Sequence, residues 1–461
     1  TYTFENIVNI NEGQGRSISI KKDDNIRLEK NGFRKISEAE DEYLNKNMYS
    51  AYQFFYKKIV EEYQKLSNED EKANFLLDLE ESLSKLEVIL VISDNEESLF
   101  LFFDSLNNRG LQLSQMDIIR NKFLKIISSQ FSSDIKEFSE LWDKLVMLLD
   151  DFDGVKFLKY YYMCTKEGKI FQAKQLPSKY EDYFGKIKVK KDMKNEIKKI
   201  IDYAKIYTML FDKSEESSND TEHIKNIKRI NAIGQQACHS FLMDYYYNVE
   251  DIDRRNKITS YIEKMMYRRV ICKYSTKNLD GIFRDMIQCR TEVSGQLVYD
   301  DDNIIGEIKK NTPSDGEFEK AFKSRIWDRG NITSYTLRKY EISFWNQSRA
   351  IVNTIKPRKE VHIEHIMPEI YNAEWKNKLQ ISEEEYQKYV YSIGNLILLE
   401  NDINTSVKGS LFDKKKSSDN YGKSALKQVQ EIINDYLDWN LQTIEDRTEK
   451  LSKAALDIWK L

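Results

Sequence analysis

Apolar residues recur at spacings of three and four along most of the chain, which is the pattern of amphipathic helices. Tyr43–Leu66 sets Tyr52, Phe55, Ile59 and Tyr63 on one face, and a second helical stretch covers Glu69–Lys85. Another is predicted from Asp94–Ser98 through Leu99, Phe102, Phe103 and Leu106. It closes on Asn107-Asn108-Arg109-Gly110, where Gly110 can take the left-handed conformation of a C-cap. Ser114 followed three residues later by Asp117 reads as a capping-box-like start before Ile118, Ile119, Phe123, Leu124 and Ile127. From about 131 to 340 the periodicity gives helices at Glu140–Leu149, Val155–Cys164, Asn195–Phe211, Glu222–Gln236, Phe241–Tyr247, Asp253–Cys272 and Phe318–Arg325. Ser214–Asp220 and Val293–Asp302 read as polar loops. Strand patterns are short: Ser17–Ile20, Ile26–Leu28, Leu86–Ile92 and two late β-branched runs, Val361–Ile366 and Ile393–Glu400.

Only 4 Pro and 16 Gly in 461 residues agree with long uninterrupted helices, so the fold class is mainly α with small β elements (α+β). The length fits two or three domains. With 40% apolar and 32% charged residues, the longest apolar runs, such as Leu99–Phe103 and Leu396–Leu399, are short. A membrane span needs roughly 20 apolar residues, so none is expected. Thr1–Asn11 carries no basic stretch followed by an apolar one, hence no visible secretory signal. A first residue that is Thr rather than Met suggests a chain cut from something longer.

Cys164, Cys238, Cys272 and Cys289 are scattered without a C-x-x-C pair, which gives neither a zinc knuckle nor a disulfide framework. A reducing cytoplasm is the expected compartment. Lys plus Arg (72) against Asp plus Glu (76) leaves a net charge of −4. That excludes a simple basic nucleic-acid coat protein but not a local DNA-binding patch. The lysine-rich run Lys186–Ile200 is by default a solvated helix face. Its sharper reading makes Lys190 and Lys191, with Lys414 and Lys415 of a later lysine triplet, candidates for DNA-phosphate contact.

The residues that most resemble a reactive site lie between Val361 and Lys408. Two of the chain's four histidines, His362 and His365, flank Glu364 in Val361-His362-Ile363-Glu364-His365-Ile366-Met367-Pro368. The spacing does not match the helical zinc motif H-E-x-x-H, and Pro368 with the β-branched residues favours a strand end. On a strand, Glu364 and His365 point to opposite faces unless the backbone bends. A second strand follows with Gly394-Asn395 at its start, then Asn401–Lys408, with Asp402 the expected N-cap and Asn404 in the first helical turn.

Strand, strand, helix, bearing Glu-His, then Asn, then Asn-x-x-x-Lys, resembles the ββα-metal finger of HNH nucleases. The fuller wording from Val361 to Ser424, with Trp375, Tyr421, Trp439, Arg447, Trp459 and Leu337-Arg338 in support, is similar to the C-terminal nuclease domain of the GmrSD-type, modification-dependent restriction endonucleases. Phe102–Gly110, Leu113-Ser114 and Asp117–Asn121 are similar to the signature of that family's ParB-like, nucleotide-hydrolysing domain. Its D-G-Q-Q-R motif is missing, and Glu12-Gly13-Gln14-Gly15-Arg16 is only a superficial echo because no apolar helix follows. The segment carrying it is expected upstream of Thr1 or unrepresented, so the resemblance does not carry nucleotide hydrolysis onto this chain.

Phosphodiester cleavage needs an activated water, neutralisation of phosphoryl charge and help for the leaving oxygen. His365 is the expected general base, since imidazole titrates near 6.5. Glu364 offers a hard oxygen suited to Mg²⁺ or Mn²⁺, and Asn404 would be the second protein ligand. By resemblance Asn395 orients the base by holding the tautomer of His365, and Lys408 could stabilise charge at the phosphate. His362 is open between a substrate contact and a structural role. Asn107, Arg109 and Asp117 are open between a capped turn and part of a nucleotide-triphosphate or effector pocket.

The order expected is the C-terminal part of a ParB-like domain (1–128), a helical middle (129–334) and an HNH-type ββα-metal domain embedded in helices (335–461). The resemblance implies a metal-dependent endonuclease of an anti-phage system. It would act on DNA, expected to be modified phage DNA, in the cytoplasm, with homo-oligomerisation open. Two other readings stand beside it: a non-catalytic DNA-binding or regulatory protein that keeps the finger fold, and a nucleotide hydrolase or sensor with an accessory finger.

Overall fold

The computed structural model describes residues 54–86, 114–167, 171–347 (apart from 213, 215 and 218) and 360–461. The chain divides into two compact units, Thr1–Asn95 and Glu96–Leu461. In the first, a helix over 54–64 is followed by Glu69–Ser84, which starts where the Asn68 side chain accepts the Glu71 N–H at 2.8 Å. The strands expected at Ser17–Ile20 and Ile26–Leu28, the apolar run beyond Leu86, and the turn at Asn107–Gly110 lie outside the described residues.

The second unit is built almost wholly of helices around one continuous core. Its first described helix, Gln115–Gln130, begins at the predicted cap: Ser114 Oγ accepts the Asp117 N–H at 3.2 Å and donates to the Asp117 carboxylate at 2.6 Å. Ile119, Phe123, Leu124 and Ile127 are buried on its inner face. The lysine-rich run is not one helix. Leu176–Lys186, opened by Pro177 in its first turn, precedes Lys190–Leu210, which starts five residues earlier than the apolar periodicity alone predicts. Pro177 costs nothing there because the first turn's N–H groups have no helical partner.

The stretch expected as a polar loop at Val293–Asp302 is instead half of a hairpin, Arg290–Val293 paired antiparallel with Gln296–Tyr299. Ser294 and Gly295, both at positive φ (52° and 79°), make the two-residue turn that a right-twisted hairpin favours. Asp300 then caps a further helix, Asp301–Lys310, by accepting the N–H groups of Asp302 and Asn303.

The C-terminal elements close onto this helical body. The last helix, Leu441–Ile458, ends at Trp459, whose ring stacks on Tyr267 at 4.1 Å and whose Nε1–H donates to the Tyr335 hydroxyl at 2.9 Å. Arg268 donates to the Trp459 carbonyl at 2.9 Å and pairs with Asp315. The buried contacts of Trp459 anchor the helix that supports the site described next. Among the described residues no helix is long and apolar enough to cross a membrane.

Candidate active site

Val361–His365 pairs antiparallel with Leu396–Glu400, with Glu364 opposite Ile397 and His365 opposite Leu396. The helix Asn401–Val407 follows without a linker. It starts at Glu400, which makes no side-chain cap, rather than at the expected Asp402, so Asn404 sits mid-helix and half-exposed. Ile393–Asn395 forms a single tight turn rather than the start of the strand.

Glu364 and His365 face different surroundings. The Glu364 carboxylate is buried and meets the Lys415 ammonium and the Tyr421 hydroxyl (3.1 Å), both on Oε1. His365 is 2% exposed, with its ring edge-on to Tyr391 at 5.7 Å between centroids and Nε2 3.6 Å from Glu369 Oε1. Neither ring nitrogen has a hydrogen-bond partner among the described residues. Burial, and then the positive charges of Arg329 and Lys415, push its pKa down to about 3, so the imidazole is neutral at pH 7.

Asn395 is fully buried and uses its whole amide. Oδ1 accepts from the Met367 N–H (2.7 Å) and Trp439 Nε1–H (3.1 Å), while Nδ2 donates to the carbonyls of Met367 (2.8 Å) and Val390 (3.0 Å). Its own carbonyl accepts the Ile366 N–H at 3.0 Å. Asn395 therefore clamps the backbone just beyond His365, and none of its bonds reaches the imidazole. Beneath it, the buried Arg447 donates to the carbonyls of Gly394 (2.7 Å) and Leu396 (2.8 Å). A Cβ at residue 394 would lie 2.1 Å from the Ile444 carbonyl oxygen, so only glycine lets the last helix approach this closely.

The other sequence candidates are placed unevenly. Lys408 ends the helix Asn401–Val407 and is exposed, as are His362 and Lys414. Lys415 is corrected: at 1% exposure, paired to Glu364 and donating to the His365 carbonyl at 3.0 Å, it is an internal cation and not a surface phosphate contact. Lys190 pairs with Asp134 at 2.6 Å, whereas Lys191 is exposed. Both sit on a helix that packs mainly against Ile135–Leu148 and His239–Asn248, away from the strand pair. Asp117 serves its helix cap, and Asn107 and Arg109 fall outside the described residues. Sequence reasoning gave no role to Glu369, although that residue lies in the wording from Val361 to Ser424, nor to Arg329; the fold brings both to His365.

Among the described residues no group of three or more His, Cys, Asp and Glu could hold a metal ion. A hard dication that keeps water and phosphate oxygens needs only one or two protein ligands, however. Glu364 Oε2, which receives no hydrogen bond among the described residues, and the half-exposed Asn404 amide supply oxygens of the right kind. The Lys415 ammonium beside Glu364 opposes a second cation.

Comparison with known families gives two matches. The C-terminal domain of GmrSD restriction endonucleases matches residues 312–454, and the N-terminal domain of the same endonucleases matches residues 3–124. Together they take in more than half of the sequence. The chain belongs to the GmrSD restriction endonuclease family. No curated protein matches it. The GmrSD C-terminal match encloses the whole strand–strand–helix unit, with Glu364, His365, Asn395 and Asn404, and also Arg329, Glu369, Lys415 and Arg447. Membership of a restriction endonuclease family implies nuclease activity, with DNA as the partner.

Proposed function

We propose that this GmrSD-family chain hydrolyses phosphodiester bonds of foreign, modified DNA in a divalent-cation-dependent reaction, with His365 as the general base. The observation that carries the reading is a buried, neutral imidazole whose two nitrogens lack hydrogen-bond partners among the described residues, at the end of the strand that also bears Glu364. Such a group is in the state a base must have to accept a proton from water.

Glu364 and Asn404 are the residues that would hold Mg²⁺ or Mn²⁺. When bound, the cation supplies charge neutralisation at the phosphoryl oxygens and the leaving oxygen. This chain's own residues do the rest. Asn395 fixes the backbone that carries His365, and the exposed Lys408 is available to a phosphate oxygen. An arriving phosphate also brings negative charge, which raises the proton affinity of His365 from its low resting value.

A second reading, a DNA-binding module without catalysis, is favoured by one observation: Glu364 is already neutralised by Lys415. Cleavage of plasmid and of modified phage DNA, with Mg²⁺ or Mn²⁺ and with or without nucleoside triphosphate, decides between them. Metal-dependent nicking that His365→Ala abolishes, with unchanged circular dichroism, is the expected result. DNA retention without cleavage under every condition overturns the catalytic reading in favour of the binding one.

A further inference from the structure

Glu369 lies one loop beyond His365, past Pro368, with its Oε1 3.6 Å from His365 Nε2. That is just outside hydrogen-bonding reach, and apo sites often hold such pairs long until substrate closes them. The carboxylate is itself held from the other side: Arg329 donates to Glu369 Oε1 at 3.2 Å and to Oε2 at 2.8 Å, a two-pronged pairing that fixes its plane. Arg329 is set in turn by its neighbour Trp327, a fully buried residue whose N–H donates to the Tyr391 carbonyl at 2.8 Å. Tyr391 is the residue whose ring lies against His365. The loop at 327–329 and the segment at 365–369 thus meet beside one imidazole, joined by an ion pair that is itself exposed.

We propose that Glu369 is the positioning residue of His365, holding the tautomer with hydrogen on Nε2 and leaving the Nδ1 lone pair as the atom that takes the proton from water. The inference rests on the catalytic reading above only for its kinetic consequence. The tautomer follows from geometry: among the described residues the carboxylate placed beside the ring, that of Glu369, faces Nε2, and a carboxylate favours an N–H directed at it. Nδ1, like Nε2 without a hydrogen-bond partner among the described residues, has no carboxylate paired to it there. The arrangement has the logic of a base oriented by a third group, with the carboxylate opposing the charge that develops on the imidazolium. Asn395, expected from the sequence to set the tautomer, makes four side-chain bonds elsewhere, so that role is open for Glu369 to fill.

The test uses the full chain with ¹⁵N-labelled histidine. Only four histidines contribute signals, and His365→Ala assigns the one of interest. The ¹⁵N shifts are expected to show hydrogen on Nε2 of His365 in the unsubstituted protein and a mixture of tautomers in Glu369→Ala. In plasmid nicking with Mn²⁺, Glu369→Ala is expected to lower kcat about 10- to 100-fold with KM little changed, and Glu369→Gln, which keeps an acceptor, to recover part of it. Hydrogen on Nδ1 in the unsubstituted protein, or a spectrum unmoved by Glu369→Ala, overturns the proposal. If the spectra behave as expected but His365→Ala still cleaves, the tautomer assignment stands and the general-base reading falls.

Discussion

Replacing Asn395 by alanine tests how the reactive strand end is held. The substitution strands four buried groups at once: the Met367 and Trp439 Nε1 N–H donors, and the Met367 and Val390 carbonyls. Each lost bond is worth about 1 kcal/mol, so the loss should reach about 4 kcal/mol. Against a typical total of about 5–15 kcal/mol, that is a large share. Urea unfolding followed by tryptophan emission is the suitable assay, because Trp439 is itself one of the partners. A midpoint lowered by that energy is expected, along with DNA cleavage reduced even where the variant is still folded. Asn395→Asp sharpens the point. It is the same size and keeps both accepting contacts, but it turns a carboxylate oxygen toward the two carbonyls. It should therefore be at least as destabilising as alanine at pH 7. An unfolding midpoint and emission spectrum like the unsubstituted protein's, in either variant, would refute the clamp.

Three more expectations follow from the structure, two at this site and one in the helical body. Lys415→Met should cost about 3–5 kcal/mol by leaving Glu364 buried and unpaired, and adding Glu364→Gln should restore part of the loss; urea midpoints that show no restoration count against the ion pair as the cause. Gly394→Ala should cost about 3 kcal/mol, because its Cβ meets the Ile444 backbone at 2.1 Å and the last helix must move; a thermal midpoint unchanged from the parent rules out that close approach. His239, fully buried against Phe211, has its pKa pushed down to about 3 by burial. The unfolded state therefore binds one more proton than the folded state between pH 3 and about 6.5, so stability falls as pH drops through that window, by up to about 1.4 kcal/mol per unit. His239→Phe should flatten the pH dependence of the urea midpoint there, and an unaltered slope would contradict this.

Much of the architecture is legible in the residues, for stated physical reasons. The Ser114–Asp117 cap and the buried face at Ile119, Phe123, Leu124 and Ile127 are local, and local chemistry reads directly from spacing. The strand at Val361–His365 is equally plain from its β-branched positions. What could not be read depends on distant partners. Ser294-Gly295 looks like loop composition until Arg290 and Tyr299 are found opposite one another. The lysines of the Lys414–Lys416 triplet look alike in sequence, yet Lys415 turns inward because Glu364 waits there. The candidate site is legible only as a set of residue types, Glu-His, Gly-Asn and Asn-x-x-x-Lys at fixed spacing. The division of labour within it is not. Asn395 holds backbone rather than ring, and the place of Glu369 beside the His365 ring shows only in the fold.

That division has an energetic logic. The Asn395 amide is saturated with hydrogen bonds, and the last helix is pressed against Gly394 without room for a methyl group. The His365 ring, a few residues away, leaves both nitrogens without hydrogen-bond partners among the described residues in a buried place, which costs free energy. A protein can retain such a group only where its surroundings over-determine its position. The saturated clamp and the tight helix contact provide that rigidity, so the imidazole is held in place without being satisfied. The base role proposed for His365 needs this combination, because a fully bonded imidazole would have no lone pair to offer. The same reasoning explains why loss of Asn395 should damage cleavage beyond its effect on folding: the cost of the unsatisfied ring would then be relieved by its moving away.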